Sequence, residues 1–170
     1  MSHDHGGGPR RAAVITVSDR SARGEREDAS GPVAVDALVA AGFSCDPAVV
    51  VLDGEDSVEA ALLEAIGGGA ALVITTGGTG VGPRDRTPEG TARVLTRPVP
   101  GIAEALRRVG AAVKPAGMLS RGLAGVVDDE HGGGALVVNL PGSPKAVAEG
   151  MPIVLSVASH VLEQLGGGDH

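Results

Sequence analysis

Aromatic residues are almost absent from this sequence of 170 residues, which contains one phenylalanine, Phe43, and neither tryptophan nor tyrosine. The length predicts a single domain, and hydrophobic residues make up 42% of the chain, enough for an ordinary core. Val, Leu, Ile and Ala must fill that core. A bound heterocycle would have to be held by backbone groups and aliphatic side chains, because aromatic stacking is unavailable.

The sequence also lacks excess positive charge, a second cysteine and long apolar runs. Its formal net charge of -7 argues against binding to nucleic acid or to a membrane surface, since either would require a basic face. Cys45 cannot form an intramolecular disulfide, which fits a reducing compartment, and we interpret it as a small buried residue. We find no signal-peptide pattern and no apolar run of about 18 residues, so the sequence predicts a cytoplasmic protein.

Alternating strand-like and helix-like segments predict an α/β fold, a three-layer α/β/α sandwich around a mostly parallel sheet with one antiparallel strand. Residues 11–165 form one domain, and the Gly- and His-rich ends, residues 1–10 and 166–170, are predicted to be disordered. Predicted strands span 12–17, 48–52, 71–75, 123–127 and 135–140. Predicted helices span 31–41, 56–66, 100–113 and 143–165, and a further helix is predicted to begin at residue 87. Ser30, Asp56 and Thr87 are the expected N-caps, and Pro152 should break the last helix.

A glycine-rich segment, TTGGTGVGPRDRTPE, follows the third predicted strand, and we call residues 77–86 the glycine loop. It fails the dinucleotide fingerprint Gly-x-Gly-x-x-Gly, because the third glycine position falls on Pro83 or Asp85. It fails the nucleotide-hydrolase phosphate loop as well, because Pro83-Arg84 stand where Lys-Ser/Thr is required. Small side chains nevertheless expose backbone N–H groups, and Arg84 and Arg86 add positive charge, so the loop is typical of an anion-binding site.

Asp85 lies between the two arginines, where a carboxylate would repel a phosphate unless a cation separated them. We therefore interpret Asp85 as a Mg²⁺ ligand, since Mg²⁺ is usually held by one or two carboxylates together with substrate phosphates. The alternative is an ordinary surface turn in which Asp85 forms salt bridges with its arginine neighbours.

Several motifs, in order, resemble those of the MoaB and Mog proteins of molybdenum cofactor biosynthesis, whose molybdopterin-binding fold is also found in gephyrin. They are Val17-Ser18-Asp19-Arg20, Asp28-x-Ser30-Gly31, Thr76-Gly77-Gly78-Thr79-Gly80, Arg84-Asp85-x-Thr87-Pro88-Glu89, Leu119-Ser120-Arg121 and Asn139-Leu140-Pro141-Gly142-Ser143-Pro144-Lys145. The likeness covers nearly the whole chain between the tails. Several matching motifs in the right order are far more specific than one glycine loop.

The resemblance implies an adenylyltransferase that uses molybdopterin and ATP as substrates and Mg²⁺ as cofactor. The terminal phosphate of molybdopterin would attack the α-phosphorus of ATP, giving adenylylated molybdopterin and pyrophosphate. A phosphate monoester with a second pKa of about 6 is mostly ionised near neutral pH, so no general base is required and positioning carries the reaction.

The resemblance also assigns site residues. Asp85 and Asp53 would be catalytic and bind Mg²⁺; Asp53 is chosen over Asp56 because it is nearer the strand end. Substrate binding is assigned to Ser18, Asp19, Thr76, Gly77, Gly78, Thr79, Gly80, Arg84, Thr87, Ser120, Pro141, Gly142, Ser143 and Lys145. Arg121 is a further candidate for ligand binding, whereas His131 and His160 fit no metal-ligand spacing.

The expected partners are other copies of the chain, in a homotrimer that could pair into a hexamer, and a downstream molybdenum-insertion protein. Two other functions stay open. One is a non-catalytic molybdopterin carrier, because the family includes such paralogues. The other is a CinA-like nucleotide pyrophosphatase, although those chains usually carry an additional domain.

Overall fold

The computed structural model describes residues 7–168. Residues 1–6 and 169–170, which belong to the two predicted tails, lie outside the described residues. The strands are β1 (Arg11–Val17), β2 (Ser44–Cys45), β3 (Val49–Val51), β4 (Leu72–Thr76), β5 (Arg97–Pro98), β6 (Ala124–Asp128) and β7 (Gly134–Leu140). The helices are α1 (Asp19–Ala22), α2 (Gly31–Ala40), α3 (Glu55–Gly67), α4 (Thr87–Ala92), α5 (Pro100–Val113) and α6 (Pro144–Leu165), with a 3₁₀ helix at Pro115–Leu119.

The strands form one sheet in the order β2-β1-β4-β7-β6-β5, and β3 also pairs with β1. The short strands β2 and β3 pair with opposite ends of β1, so they act as one interrupted edge strand. The strands β1, β4 and β7 are parallel, whereas β6 is antiparallel to both of its neighbours, β7 and β5. Within the described sheet only β6 therefore runs against the main direction, which confirms the predicted mostly parallel sheet.

The core consists of two layers, one on each face of the sheet. On one face, Leu72 and Ile74 of β4 pack with the buried sides of α2, α5 and α6. On the other face, Val73 packs with Val58 and Leu62 of α3. Successive residues of a strand point to opposite faces, so a strand covered on both faces is apolar at almost every position. This confirms the α/β/α sandwich.

Helix α6 differs from the sequence prediction because it continues through Pro152. A proline removes one backbone hydrogen bond of a helix, but Met151 and Val154 on either side of it are buried against the sheet. This packing holds the helix together across the missing bond. By length and composition alone α6 could also cross a membrane, yet one of its faces, which includes Val147, Met151 and Val154, packs in the core.

Ser30 occupies the predicted N-cap position of α2, whereas the N-caps predicted at Asp56 and Thr87 are wrong because both residues lie inside their helices. The hydroxyl of Ser30 donates to the carbonyl of Gly142 at 2.6 Å and makes no capping bond. Helix α3 begins at Glu55, so Asp56 lies in its first turn. Helix α4 is preceded by Arg86, and Thr87 is its first residue.

Two smaller differences concern short elements and Cys45. Helix α1 was not predicted, because its four residues are too few to show a hydrophobic period. The edge strand is shorter than predicted, at Val49–Val51. Cys45 is half-buried rather than fully buried, and burial raises the pKa of its thiol.

Candidate functional site

The carboxyl ends of β1, β4 and β7 meet at one edge of the sheet, and the turns that follow them are in contact. Strand β4 lies between the other two, which is where open α/β sheets form a ligand crevice. Gly77 has φ 98°, and a side chain there would overlap the carbonyl oxygen of Val17. A Cβ on Gly142 would lie 3.3 Å from the Cα of Gly77. Glycine therefore allows the β4 and β7 turns to pack against each other and against β1.

Two pockets lie on either side of this contact. The first, which we call the acidic pocket, has a volume of about 640 Å³ and is lined by the carboxylates Asp28, Asp53 and Asp85. The second, which we call the apolar groove, has a volume of about 470 Å³ and lies between α5, the 3₁₀ helix and the start of α6. Leu106, Val109 and several small residues line the groove. Gly142 and Ser143 line both pockets, so the two share one wall.

The structure divides the predicted site residues between these pockets. The acidic pocket is lined by Ser18, Asp53, Thr76, Gly77, Gly78, Asp85, Gly142 and Ser143. The apolar groove is lined by Thr79, Gly80, Ser120, Pro141, Gly142, Ser143 and Lys145. Asp19, Arg84 and Thr87 line neither pocket. Their contacts show what each of these three does.

Asp19 and Arg84 support Asp53. The amide of Asp19 donates to the Asp53 carboxylate at 2.8 Å, and the amide of Asp53 donates to the Asp19 carboxylate at 3.1 Å. Arg84 donates to both carboxylate oxygens of Asp19 at 3.0 Å and to the Asp53 carbonyl at 2.9 Å. These bonds tie the end of β1 to the segment after β3 and fix the position of Asp53.

The two linked carboxyls have opposite pKa shifts. The hydrogen bond from Arg84 lowers the pKa of Asp19. Burial raises the pKa of Asp53, with smaller upward contributions from the charges of Asp19 and Asp85. Asp53 is thus close enough to Asp85 for the charges to interact. A cation between the two would relieve this repulsion.

Asp85 is held inside the glycine loop rather than paired with its neighbours. One of its carboxylate oxygens accepts from the amide of Gly82 at 2.9 Å, and the same oxygen would lie 2.9 Å from a Cβ on Gly80 or on Gly82. Arg84 pairs with Asp19 instead, and no salt bridge to Asp85 occurs within residues 7–168. The alternative of an Asp85 salt bridge in an ordinary surface turn is therefore wrong.

The glycine loop also presents backbone donors. Within the described part of the chain, the amides of Gly78, Thr79 and Gly80 donate to no protein acceptor, as a phosphate cradle requires. Thr87 holds this loop: its hydroxyl donates to the Gly77 carbonyl at 2.8 Å, and its amide donates to the Gly78 carbonyl at 3.1 Å. Thr87 is fully buried and lines neither pocket, so it supports the loop, and its role in substrate binding stays a prediction. Helix α4 has six residues, so its dipole adds little to the cradle.

The donor set of the acidic pocket fits Mg²⁺ shared with a substrate. No group of three or more His, Cys, Asp or Glu side chains that could hold a metal occurs among residues 7–168, so these side chains do not form a complete cage. Asp28 is occupied, since it accepts from the Thr16 hydroxyl and from the amides of Ser30 and Gly31. Asp53 and Asp85 remain, and two carboxylates with substrate phosphates are a usual Mg²⁺ site.

The groove contains polar residues whose positions the sequence did not predict. Arg107, Lys114 and Glu149 line it in addition to Lys145. Arg107 donates to the Gly122 carbonyl at 3.0 Å, whereas Lys114, Lys145 and Glu149 form no ion pair within the described residues. Only the helical spacing of Lys145 and Glu149, one turn apart, could have placed them on one face.

Two more predicted residues have structural contacts in the groove wall. The hydroxyl of Ser143 accepts from the amide of Ala146 at 3.1 Å and caps α6. The hydroxyl of Ser120 accepts a long hydrogen bond, 3.4 Å, from the amide of Gly122. Both residues still line the groove, so their binding roles stay predictions.

Comparison with known proteins identifies relatives of this chain. The family model described as a probable molybdopterin binding domain matches residues 13–160. A molybdenum cofactor biosynthesis bifunctional protein of Synechococcus elongatus is 42% identical over 159 residues, which cover 94% of this chain and 48% of that protein. The chain thus spans about half the length of the first curated relatives it matches.

Two further relatives match over most of their length. A molybdopterin adenylyltransferase of Pyrococcus furiosus is 38% identical over 151 residues, or 88% of each chain. The crystal structure of the molybdopterin biosynthesis enzyme MoaB from Thermus thermophilus aligns with a TM-score of 0.82 and 41% identity, covering 93% of this chain and 97% of the other.

Proposed function

The chain belongs to the MoaB/Mog family of molybdenum cofactor biosynthesis proteins, and on this basis we propose that it is a molybdopterin adenylyltransferase. It transfers AMP from ATP to the terminal phosphate of molybdopterin. A phosphate oxygen of molybdopterin forms the new bond to the α-phosphorus of ATP, the bond from the α-phosphorus to the bridging oxygen breaks, and pyrophosphate leaves with that oxygen.

The acidic pocket binds ATP. The amide of Gly78, which lines this pocket and has no acceptor among the described residues, donates to the polyphosphate. Asp53 and Asp85 would hold Mg²⁺, which when bound neutralises phosphate charge in phosphoryl-transfer reactions. Asp19 and Arg84 keep Asp53 in place through the bonds between β1 and the segment after β3. The protein supplies no base, since a phosphate monoester is already mostly ionised near neutral pH.

The apolar groove binds molybdopterin. Its aliphatic walls can cover the faces of a ring without aromatic stacking, which suits a chain with one aromatic residue. Lys114 and Lys145 bring positive charge to a phosphate-bearing ligand, and the half-buried carboxylate of Glu149 can accept N–H groups of a pterin. None of the three has an ion partner among the described residues, so such a ligand could pair with them.

The shared wall at Gly142 and Ser143 carries the proposal. Substrates bound in the two pockets meet at this wall, next to the N-terminus of the 22-residue helix α6. Such a helix end favours negative charge. Holding two phosphates in contact converts a bimolecular step into an intramolecular one, which lowers the barrier without a protein nucleophile.

The test is incubation of the purified protein with molybdopterin, ATP and Mg²⁺, followed by mass detection of adenylylated molybdopterin. We expect product and stoichiometric pyrophosphate. Tight binding of molybdopterin without any product would replace the enzyme with the carrier alternative. Release of AMP from ADP-ribose would instead support a CinA-like pyrophosphatase.

The family also suggests an assembly. We propose a homotrimer that can pair into a hexamer, acts in the cytoplasm and passes its product to a molybdenum-insertion protein. Exposed apolar side chains outside both pockets, including Val39, Val49 and Leu63, are available for such contacts. Sedimentation measures the first part of the proposal directly, and a monomer at micromolar concentration would contradict it.

A further inference from the structure

We propose that Arg121 is a positioning residue that holds the glycine loop so that the Asp85 carboxylate faces the acidic pocket. This inference rests on the proposed function. Arg121 lines neither pocket, so it acts on the reaction through the loop rather than by touching a substrate.

The side chain of Arg121 forms bonds at three places along the chain, two in the glycine loop and one in α4. Its Nε donates to the Gly80 carbonyl at 2.8 Å, and its Nη2 donates to the Asp85 carbonyl at 2.8 Å. Nη1 and Nη2 also donate to the two carboxylate oxygens of Glu89, at 2.8 and 3.0 Å. One planar group thus joins the start of the loop, the proposed Mg²⁺ ligand and the first turn of α4.

The backbone of Arg121 adds a further contact, because its amide donates to the Thr79 carbonyl at 2.8 Å. The segment before β6 is therefore fastened to the loop by both main chain and side chain. The amides of Gly78, Thr79 and Gly80 in the same loop donate to no protein acceptor within residues 7–168.

The glycine loop needs such an external support. Between Gly77 and Arg86 it has no regular secondary structure, and glycine loses more conformational entropy on ordering than any other residue. Inside the loop, Gly82 and Asp85 exchange two hydrogen bonds, at 2.9 and 3.1 Å. That short turn orients the carboxylate relative to its own backbone, and Arg121 fixes the turn relative to the sheet.

The contacts of Arg121 also explain why it does not bind a ligand itself. All three of its nitrogen atoms donate to protein oxygens. The ion pair with Glu89 raises the pKa of Arg121 and lowers that of Glu89. A phosphate would have to displace a carboxylate that holds the guanidinium with two hydrogen bonds, which is the strong geometry for such a pair.

The test compares Arg121→Met and Arg121→Lys with the matched control Arg97→Met. Arg97 also binds a carboxylate with two nitrogens, at Asp128, but lies on the far edge strand β5. We expect Arg121→Met to lower kcat about 10- to 100-fold, the range for misplacing a reactive group. The Mg²⁺ concentration for half-maximal rate should rise as well. Arg121→Lys should recover little, because an ammonium cannot reach three separate acceptors, and Arg97→Met should behave as wild type.

A double-mutant cycle distinguishes positioning from a general structural role. If Arg121 acts through Asp85, adding Arg121→Met to Asp85→Asn should reduce the residual rate no further. Rate losses that simply multiply would overturn the proposal.

A second readout does not depend on activity and so separates this proposal from the proposed function. Hydrogen exchange at the amides of Gly82 and Asp85, followed by NMR, should become faster in Arg121→Met and stay unchanged in Arg97→Met. Unchanged exchange at both amides in a folded Arg121→Met protein would overturn the positioning role. If wild type forms no product, the proposed function fails, and this exchange result still decides the role of Arg121 in the loop.

Discussion

The acidic pocket and the apolar groove share a wall but are built differently. In the acidic pocket, Asp28, Asp53 and Asp85 each accept hydrogen bonds from the protein itself. In the groove, Lys145 and Glu149 have no ion partner among the described residues, and shape comes from aliphatic side chains. The pocket is thus preorganised for charge, whereas the groove offers charges that a ligand would pair. Preorganised polar groups suit the reacting phosphates, and the groove suits recognition.

The largest expected effect comes from breaking the acidic pocket alone. Asp85→Asn should lower the rate of adenylyl transfer about 100- to 1,000-fold, the range for removing one key electrostatic group. The amide oxygen of Asn can still accept from Gly82, so the loop and the melting temperature should be preserved. Affinity for molybdopterin, measured by titration, should be unchanged; an equal loss there would show that the two pockets are not separate.

The next effect comes from breaking the contact between the two pockets. Gly77→Ala places a side chain against the Val17 carbonyl at φ 98°, and backbone strain of this kind costs about 1–3 kcal/mol. Unfolding in urea should show this loss, and binding of both ATP and molybdopterin should weaken. The control is Gly67→Ala at the end of α3, where a Cβ meets nothing within 4 Å. Loss of binding in only one pocket would contradict the shared-wall account.

A smaller effect should follow from changing the groove alone. Lys145→Met keeps the aliphatic stem and removes the charge, so the Kd for molybdopterin should rise about 10-fold, the value of one charge-assisted hydrogen bond. The Kd for Mg-ATP should stay the same. Arg10 is exposed and lines neither pocket, so Arg10→Met is the control for the loss of one positive charge. A larger change in ATP affinity than in molybdopterin affinity would reverse the assignment of the pockets.

The smallest effect is pH-dependent and concerns Glu89, whose pKa Arg121 lowers. The Glu89 carboxyl therefore binds a proton less readily in the folded state than in the unfolded state. Its pairing with Arg121 stabilises the folded state fully above the ordinary pKa of a glutamate. It is lost as pH falls through the lowered folded-state value.

The side chains of Glu89 and Arg121 are 30% and 37% exposed, so Glu89→Gln should cost below about 1 kcal/mol at neutral pH. The free energy of unfolding in urea, determined at several pH values, measures this cost. Glu163→Gln, at an exposed glutamate, is the control. A cost that grows toward acid pH would contradict the sign.

Much of the fold could be predicted because it depends on local pattern. Strand β4, LVITT, is buried throughout, and its run of apolar residues already indicated a covered central strand. The side-chain cap of Ser30 and the break at Pro152 were predicted wrongly because distant residues decide them: Ser30 bonds to Gly142, 112 residues away. Local pattern is a weak guide where a long-range contact competes with it.

The candidate site shows the same limit. The resemblance assigned Asp53 and Asp85, but the sequence could not reveal that Arg84 pairs with Asp19, 65 residues earlier, rather than with its neighbour. Nor could it divide the residues between two pockets, because that division depends on how the turns after β4 and β7 pack.

The most direct test of the central claim, that molybdopterin phosphate reaches the α-phosphorus of ATP across the shared wall, is an isotope experiment. Molybdopterin carrying ¹⁸O in its phosphate is mixed with excess protein, ATP and Mg²⁺ for a single turnover. The ¹⁸O content of both products is then measured by mass spectrometry. We expect adenylylated molybdopterin to retain all of the label and pyrophosphate to contain none. Label in pyrophosphate, or labelled molybdopterin that stays bound and unmodified, would contradict it.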